Sequence, residues 1–499
     1  MLLVILKHKL ITEHLKLFAQ FFRFVFYMKF RHTTILLLLA FLAYSSGCVR
    51  SANPDVERGS FFYFQDGYPE VRMSSIGYLS ETDEALISIT TDIVLGSLIY
   101  STHNDTRTAN LSIEIRILEV DGTFTETVRR NFGVESSFEG SYMSQDVFTH
   151  DETIEVQPGR FEVQVTVLDQ SSGRASSRTS EAMIPDPEDP QINITTVRLL
   201  GKAKGEPEDP FFPITTYTVS TGLDSLQFIF QVTNNDMDSP LTIESRLLKF
   251  NADNSPARPM NFNNYSASSL PYLGVDMRNP EVIDAVTRRL DQPGSVLIEY
   301  KYPLLEKGNY RFEVETSDER GDDIYKARDF AILSENYPAI VNTRELAEPL
   351  IYLMDRRDHE AMMSIQDPDS LKEAIDRFWL SHIGNMNRAK TVINLYYERV
   401  EQANKQFTNF KEGWKTDLGM MYILFGPPWY VDRYLNTIIW SYSYDRSDPR
   451  YNYVFERPSM RNEYYPFDNY LLQRNQGYFN VQYRQIQLWL TGGILTTRI

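Results

Sequence analysis

The side chains with the strongest claim to chemistry lie close together near the C-terminus. Glu412, Thr416 and Asp417 surround Gly413 and Trp414 in the stretch Phe410–Tyr434, FKEGWKTDLGMMYILFGPPWYVDRY. Two carboxylates and a hydroxyl within six residues are enough for general acid/base work, with Asp417 or Glu412 as the proton carrier. The same residue types also tie down turns, because Thr and Asp side chains hydrogen-bond nearby backbone groups. That structural role leaves no reactive group spare and is the expectation preferred, with no catalytic residue assigned. The apolar run Met420–Phe425 has a buried strand's length and is bounded by Gly419 and by Gly426-Pro427-Pro428. Two successive prolines cannot donate to a ladder, so the run must stop there. The reading is a turn built on Gly413, Trp414, Thr416 and Asp417, then a buried strand, then a rigid exit. Trp429 and Tyr430, directly after the prolines, are the candidate surface aromatics for a partner.

Other chemistry finds little support. No P-loop, GxGxxG, GxSxG or CxxC pattern follows residue 48. His359-Glu360 begins like a zinc-protease motif, but Met363 occupies the position of the second histidine. Asn234, Asp236 and Asp238 alternate as calcium ligands would, yet Ser239 and Ser245 replace the required glycine and glutamate. No metal or cofactor is expected.

The spacing Gly413-Trp414-Lys415-Thr416-Asp417, followed by Tyr422–Pro428, resembles the GWxTD domain family of bacterial envelope proteins, many of them lipoproteins. The resemblance extends upstream through Arg399-Val400, Ala403-Asn404 and Phe407, over residues 340–499. It departs from the pattern at Leu418, where arginine is common, and at Trp429, where an acidic residue is frequent. The resemblance implies envelope residence and leaves the activity open.

The N-terminus agrees with that implication. Met28–His32 is basic, Ile35–Ala43 is apolar, and Ser45-Ser46-Gly47 leads into Cys48, the only cysteine of 499 residues. This reads as a signal peptide whose apolar core is too short to span a bilayer. The small residue before Cys48 resembles a lipobox and predicts acylation of the thiol, hence a membrane anchor. Met28 is the expected start, residues 1–27 being an upstream extension, and the outer membrane is the expected location. Residues 1–47 carry six Lys/Arg and one Glu, so the net charge of −17 becomes −22 for residues 48–499. Such a surface repels polyanions and argues against nucleic acid.

The elements that must position these groups are read from period. Residues 48–60 form a tether, and 61–184 read as a β-sandwich. Leu111, Ile113, Ile115 and Ile117 alternate with polar residues, and Asp121-Gly122 marks a hairpin turn. Residues 185–190, PDPEDP, are a stiff linker. Residues 191–337 form a second sandwich with Leu226, Phe228, Phe230 and Val232 alternating. A repeat links the two: Gly159, Phe161, Val163 and Asp169 match Gly308, Tyr310, Phe312 and Asp318 in spacing. Such strands resemble Ig-like or fibronectin-like modules. Residues 338–499 turn helical, with a helix opened by Asp367-Pro368 and a longer one over 385–407. Thr437–Tyr444, Tyr451–Phe455 and Gly477–Leu490 are further strand candidates. The expected architecture is two all-β sandwiches followed by an α+β module. The expected function is binding or scaffolding in the envelope, the module being presented to a protein partner. An enzyme using Asp417 or Glu412, and a module that binds glycan or peptidoglycan through exposed aromatics, are the alternatives.

Overall fold

Period-2 burial builds the N-terminal half. The computed structural model describes residues 68–496, apart from 104–105, 121–122, 137–145, 188–191, 206–209, 236–239, 318–323, 444, 446–447, 449 and 459–466. Cys48, the signal segment, the Asp121-Gly122 turn, Asp236, Asp238 and Asp318 lie outside the described residues. The described residues belong to one compact unit.

Seven strands frame the first sandwich, beside the short strand Ser101–His103: β1 (Val71–Leu79), β2 (Ala85–Val94), β3 (Thr106–Glu119), β4 (Phe124–Ser136), β5 (Val147–Glu155), β6 (Gly159–Asp169) and β7 (Arg174–Ile184). One sheet runs β1-β2-β5 and the other β4-β3-β6-β7, all antiparallel. Leu111, Ile113, Ile115 and Ile117 of β3 are buried, with Val163, Val165 and Val167 of β6 beside them, between the two sheets. The second sandwich repeats the plan: β8 (Arg198–Ala203), β9 (Leu223–Asn234), β10 (Leu241–Ala252), β11 (Val275–Leu290), β12 (Gly294–Pro303), β13 (Gly308–Ser317) and β14 (Ile324–Ile332). Its sheets run β8-β9-β12 and β11-β10-β13-β14. Each strand thus occupies the place of the one seven earlier, and the repeated Gly-x-aromatic strands are β6 and β13. The repeat seen in sequence is a repeat of topology.

Strand β9 departs from simple alternation. Leu226, Phe228, Phe230 and Val232 face the core, but Gln227 and Gln231 on the other face are buried too. Gln231 is covered by the first sandwich.

The C-terminal module is α+β. Its helices are α1 (Thr343–Ala347), α2 (Arg356–Met363), α3 (Pro368–Ile383), α4 (Met386–Phe407), α5 (Asp417–Phe425) and α6 (Tyr478–Thr491). Asp367 caps α3 by accepting from the Ser370 N–H, and Asn385 caps α4 by accepting from that of Arg388. Strands β15 (Tyr430–Arg433), β16 (Thr437–Ser441), β17 (Asn452–Glu456) and β18 (Leu471–Leu472) form an antiparallel sheet in that order. The shared core holds Trp379, Tyr396, Trp440, Tyr453, Phe455 and Trp489.

Two expected strands are helices. Met420–Phe425 belongs to α5, whose residues are buried all round except half-buried Leu418. A short apolar run has no period, so a wholly buried helix and a buried strand look alike in sequence. Thr416 decides the matter by accepting from the Gly419 N–H as N-cap. Gly477–Leu490 is α6: Gln482, Gln485 and Trp489 meet the core at helical spacing.

Candidate functional site

Ten consecutive residues, Thr408–Asp417, are all buried, although most of them lie between helices α4 and α5. A buried connection must satisfy its backbone groups internally. This one does so largely with side chains. The Thr408 hydroxyl accepts from the Gly413 N–H at 2.8 Å, and Asn404 Oδ1 of α4 accepts from the Trp414 N–H at 3.1 Å. Asn309 Nδ2 of β13 donates to the Phe410 carbonyl at 2.8 Å, and the Tyr352 hydroxyl donates to that of Trp414 at 2.8 Å. The Thr416 hydroxyl donates to Gly413 O at 2.7 Å while capping α5.

Close backbone approach explains the two glycines. A Cβ on Gly413 would stand 1.9 Å from Ala403 O of α4, and one on Gly419 would stand 1.9 Å from Gly413 O. The turn is pressed onto α4, and α5 onto the turn. Trp414 packs edge-on to Tyr352, with ring centroids 6.1 Å apart.

Three buried ion pairs radiate from this corner. Asp417 grips Arg474, just past β18, at 2.6 and 2.8 Å, and also accepts from the Leu472 N–H at 2.7 Å. Arg474 is held further by the carbonyls of Arg258 and Pro259 at 3.1 and 3.3 Å. Burial alone would lower the Arg474 pKa, but the Asp417 carboxylate outweighs it and the net shift is upward. Glu412 takes Lys307 at 2.7 Å, Lys415 at 2.9 Å and the Trp414 indole N–H at 3.1 Å. Burial pushes Glu412 up, but Lys415 and Lys307 outweigh it and hold the carboxyl down at about 2. Lys411 donates to Asp253 at 2.6 Å and to Ser255 O at 2.8 Å; burial pulls its pKa down despite the partner. Lys415 also reaches Asn254 Oδ1 at 3.0 Å.

Most of these partners come from the β10–β11 loop and the β12–β13 connection of the second sandwich. That loop also places Ala257 and Met260 in the core of the C-terminal module. The Met260 N–H donates to Gln482 of α6 at 2.8 Å. The corner is therefore a clamp between modules. Asp417 was expected to bond its own turn; its partners are instead Leu472 and Arg474, because the β18 segment folds back across the start of α5.

Of the residues singled out in sequence, Glu412, Gly413, Trp414, Thr416 and Asp417 are buried in the clamp, while Gly426 is buried at the far end of α5, where Pro427 and Pro428 lead away. Trp429 and Tyr430 stand apart on the sheet edge, both exposed. Sequence reasoning missed Lys411, Lys415, Lys307, Asp253 and Arg474. Only Lys411 and Lys415, flanking Glu412, carried a local signal. His359 is buried, its Nε2 lying 3.2 and 3.1 Å from the carbonyls of Ala347 and Glu348. Among the described residues, no three His, Cys, Asp or Glu side chains stand where they could share a metal ion.

Among the described residues, cavities open at module junctions. One, ≈ 400 Å³, lies among β1, the 212–223 segment and the end of α4, with Arg72, Thr215, Tyr337 and Lys405 in its wall. The other, ≈ 360 Å³, lies beside the clamp and is lined by Asn251, Asp253, Lys307 and Asn309 among others. Neither of these two is lined by Asp417 or Glu412.

No curated protein matches the chain. Among solved structures, that of red sea bream transglutaminase is similar over 53% of this chain at 8% identity, with a TM-score of 0.17. The chain spans 31% of that structure's length. A family model does match, over residues 308–491. It begins at Gly308 and so takes in β13 and β14, the part of the second sandwich beside the clamp. The chain carries a GWxTD domain at residues 308–491.

Proposed function

We propose that this is a lipid-anchored protein of the bacterial cell envelope, at the outer membrane, with a scaffolding role. The observation that carries the scaffolding role is the clamp: Glu412 binds Lys307 of the second sandwich, Asp417 holds the Arg474 that reaches the Arg258 and Pro259 carbonyls there, and Thr416 ties the turn between them. A proton carrier needs reach to a substrate, and here both carboxylates are buried against cations. The candidate contact for an envelope protein partner is the exposed pair Trp429 and Tyr430. The anchor is acylated Cys48 behind its signal segment; among the described residues no helix is long and apolar enough to cross a membrane.

Fractionation of cells expressing the wild-type chain and Cys48→Ser tests the anchor. The wild type is expected with the outer membrane and the variant absent from it. A soluble wild type would overturn the reading. For the scaffolding role, an Asp417→Asn chain that stays folded while losing a measurable turnover would favour an enzyme instead.

A further inference from the structure

Three modules wall the ≈ 400 Å³ cavity: Tyr68 and Val147 from the first sandwich, Phe212 and Tyr217 from the second, and Tyr337 and Phe467 from beyond it. Tyr217 and Phe467 are buried there, edge-on with ring centroids 4.5 Å apart. Phe212, Tyr68 and Val147 line the same space and stay 45%, 39% and 38% exposed. Large apolar side chains that line a cavity yet meet water mark a surface suited to being covered. A cavity of about 150 Å³ holds one benzene ring, so this one has room for about two.

The hydroxyls in the wall are spent elsewhere. That of Thr215 donates to Asp92 at 2.6 Å, that of Tyr217 to Asn309 at 2.8 Å and that of Tyr337 to the Asn404 carbonyl at 3.0 Å. Burial also pulls down the pKa of Lys405, at the same wall. Apolar surface is therefore what the cavity chiefly offers an occupant.

The chain itself carries an occupant of that kind. Phe61-Phe62-Tyr63-Phe64 is the only run of four consecutive aromatics in 499 residues, and it ends four positions before Tyr68 on the cavity's rim. Val49–Ser60, before the run, is polar, as a tether should be. Four residue steps span up to about 14 Å and seven up to about 25 Å, and Gly67 allows the chain to reverse. A short covalent link holds the run at an effective concentration of about millimolar. That advantage favours it over any aromatic partner from outside.

We propose that Phe61–Phe64 folds back into this cavity and seals the junction of the three modules from within. The leash from Cys48 would then end at Phe61, thirteen residues on, and not at Tyr68, twenty residues on. Its full reach falls from roughly 70 Å to roughly 45 Å. The envelope reading is needed only for what the shorter leash means, since it holds the body nearer the bilayer.

The test uses the full chain carrying Cys48→Ser, which removes both the acyl anchor and the only cysteine. Hydrogen exchange read by mass spectrometry is expected to show the amides of residues 61–64 protected, whatever the protein concentration. Serine at all four positions (Phe61→Ser, Phe62→Ser, Tyr63→Ser and Phe64→Ser) should speed exchange over residues 212–221 on the order of tenfold. Strands β3 and β6 should keep their protection, which shows that the fold is intact. Placement is read separately. Thr218 lines the cavity and is half-buried, so a thiol introduced by Thr218→Cys should react with a maleimide more slowly in the aromatic chain than in the serine one. Unprotected amides at 61–64, or equal thiol reactivity in the two chains, overturns the proposal. So does protection that grows with protein concentration, which would place the run in a second copy. The fractionation result for Cys48 is independent, so the two readings fail separately.

Discussion

Gln231 of the second sandwich completes a β-bridge with Leu79 of the first, using a side chain in place of a strand. Its Oε1 accepts from the Leu79 N–H at 2.8 Å and its Nε2 donates to the Leu79 carbonyl at 2.9 Å, both residues being buried. Toward the other end of the β1–β2 pair, the Thr215 hydroxyl donates to Asp92 between the same two sandwiches at 2.6 Å. Polar contacts of this kind are strong only while water is excluded, so they set the angle between the sandwiches as well as holding them together.

Gln231→Ala orphans a buried donor and a buried acceptor. Each costs about 1–3 kcal/mol if it stays dry. The expected outcome is a lower urea midpoint and faster proteolysis near residues 185–197, as the seam opens to hydrate Leu79. Unchanged protection would show that the seam is held elsewhere.

Asp417→Asn keeps the shape of the clamp and removes its charge, leaving the Arg474 guanidinium buried without a counter-ion. Breaking one side of such a pair costs about 3–5 kcal/mol. The double variant Asp417→Leu with Arg474→Met should recover most of that loss, since the desolvation penalty disappears with both charges. Urea unfolding of Asp417→Leu, Arg474→Met and the double variant measures the coupling.

Glu412 makes stability depend on acid. Its folded pKa, about 2, lies below the ordinary value of 4.5, so the unfolded chain binds the proton first. The contribution is complete above about pH 4.5 and is lost as pH falls toward 2. Two and a half units correspond to roughly 3 kcal/mol. Glu412→Gln should lower stability at neutral pH and flatten the curve between pH 4.5 and 2, as followed by thermal midpoints.

Gly413→Ala and Gly419→Ala each drive a methyl group to 1.9 Å from a backbone oxygen. Backbone cannot yield as a side-chain end can, so the cost should exceed the roughly 1–3 kcal/mol of ordinary overpacking. Gly133→Ala is the control: its nearest neighbour would be 3.7 Å away, and its effect should stay within about 1 kcal/mol. Soluble yield and urea midpoints distinguish them.

Much of this molecule was legible locally. Alternation at Leu111–Ile117 and Leu226–Val232 marked strands, the capping carboxylate of Asp367 and the apolar stripe over 385–407 marked helices, and the Gly159 and Gly308 motifs marked a duplication that holds at the level of strand order. Such signals survive because a period or a cap is written within a few residues. The motif around Gly413 was also visible as a constrained turn.

What only the tertiary structure decided was how that turn is satisfied. Arg474 lies 57 residues after Asp417, and Asp253 lies 158 residues before Lys411. No local pattern encodes a contact at that separation, since any buried carboxylate accepts any cation that the fold delivers. The identity of α5 was hidden for a related reason. A segment buried on all sides is apolar on all sides, so it has no period to betray its geometry until its neighbours are in place.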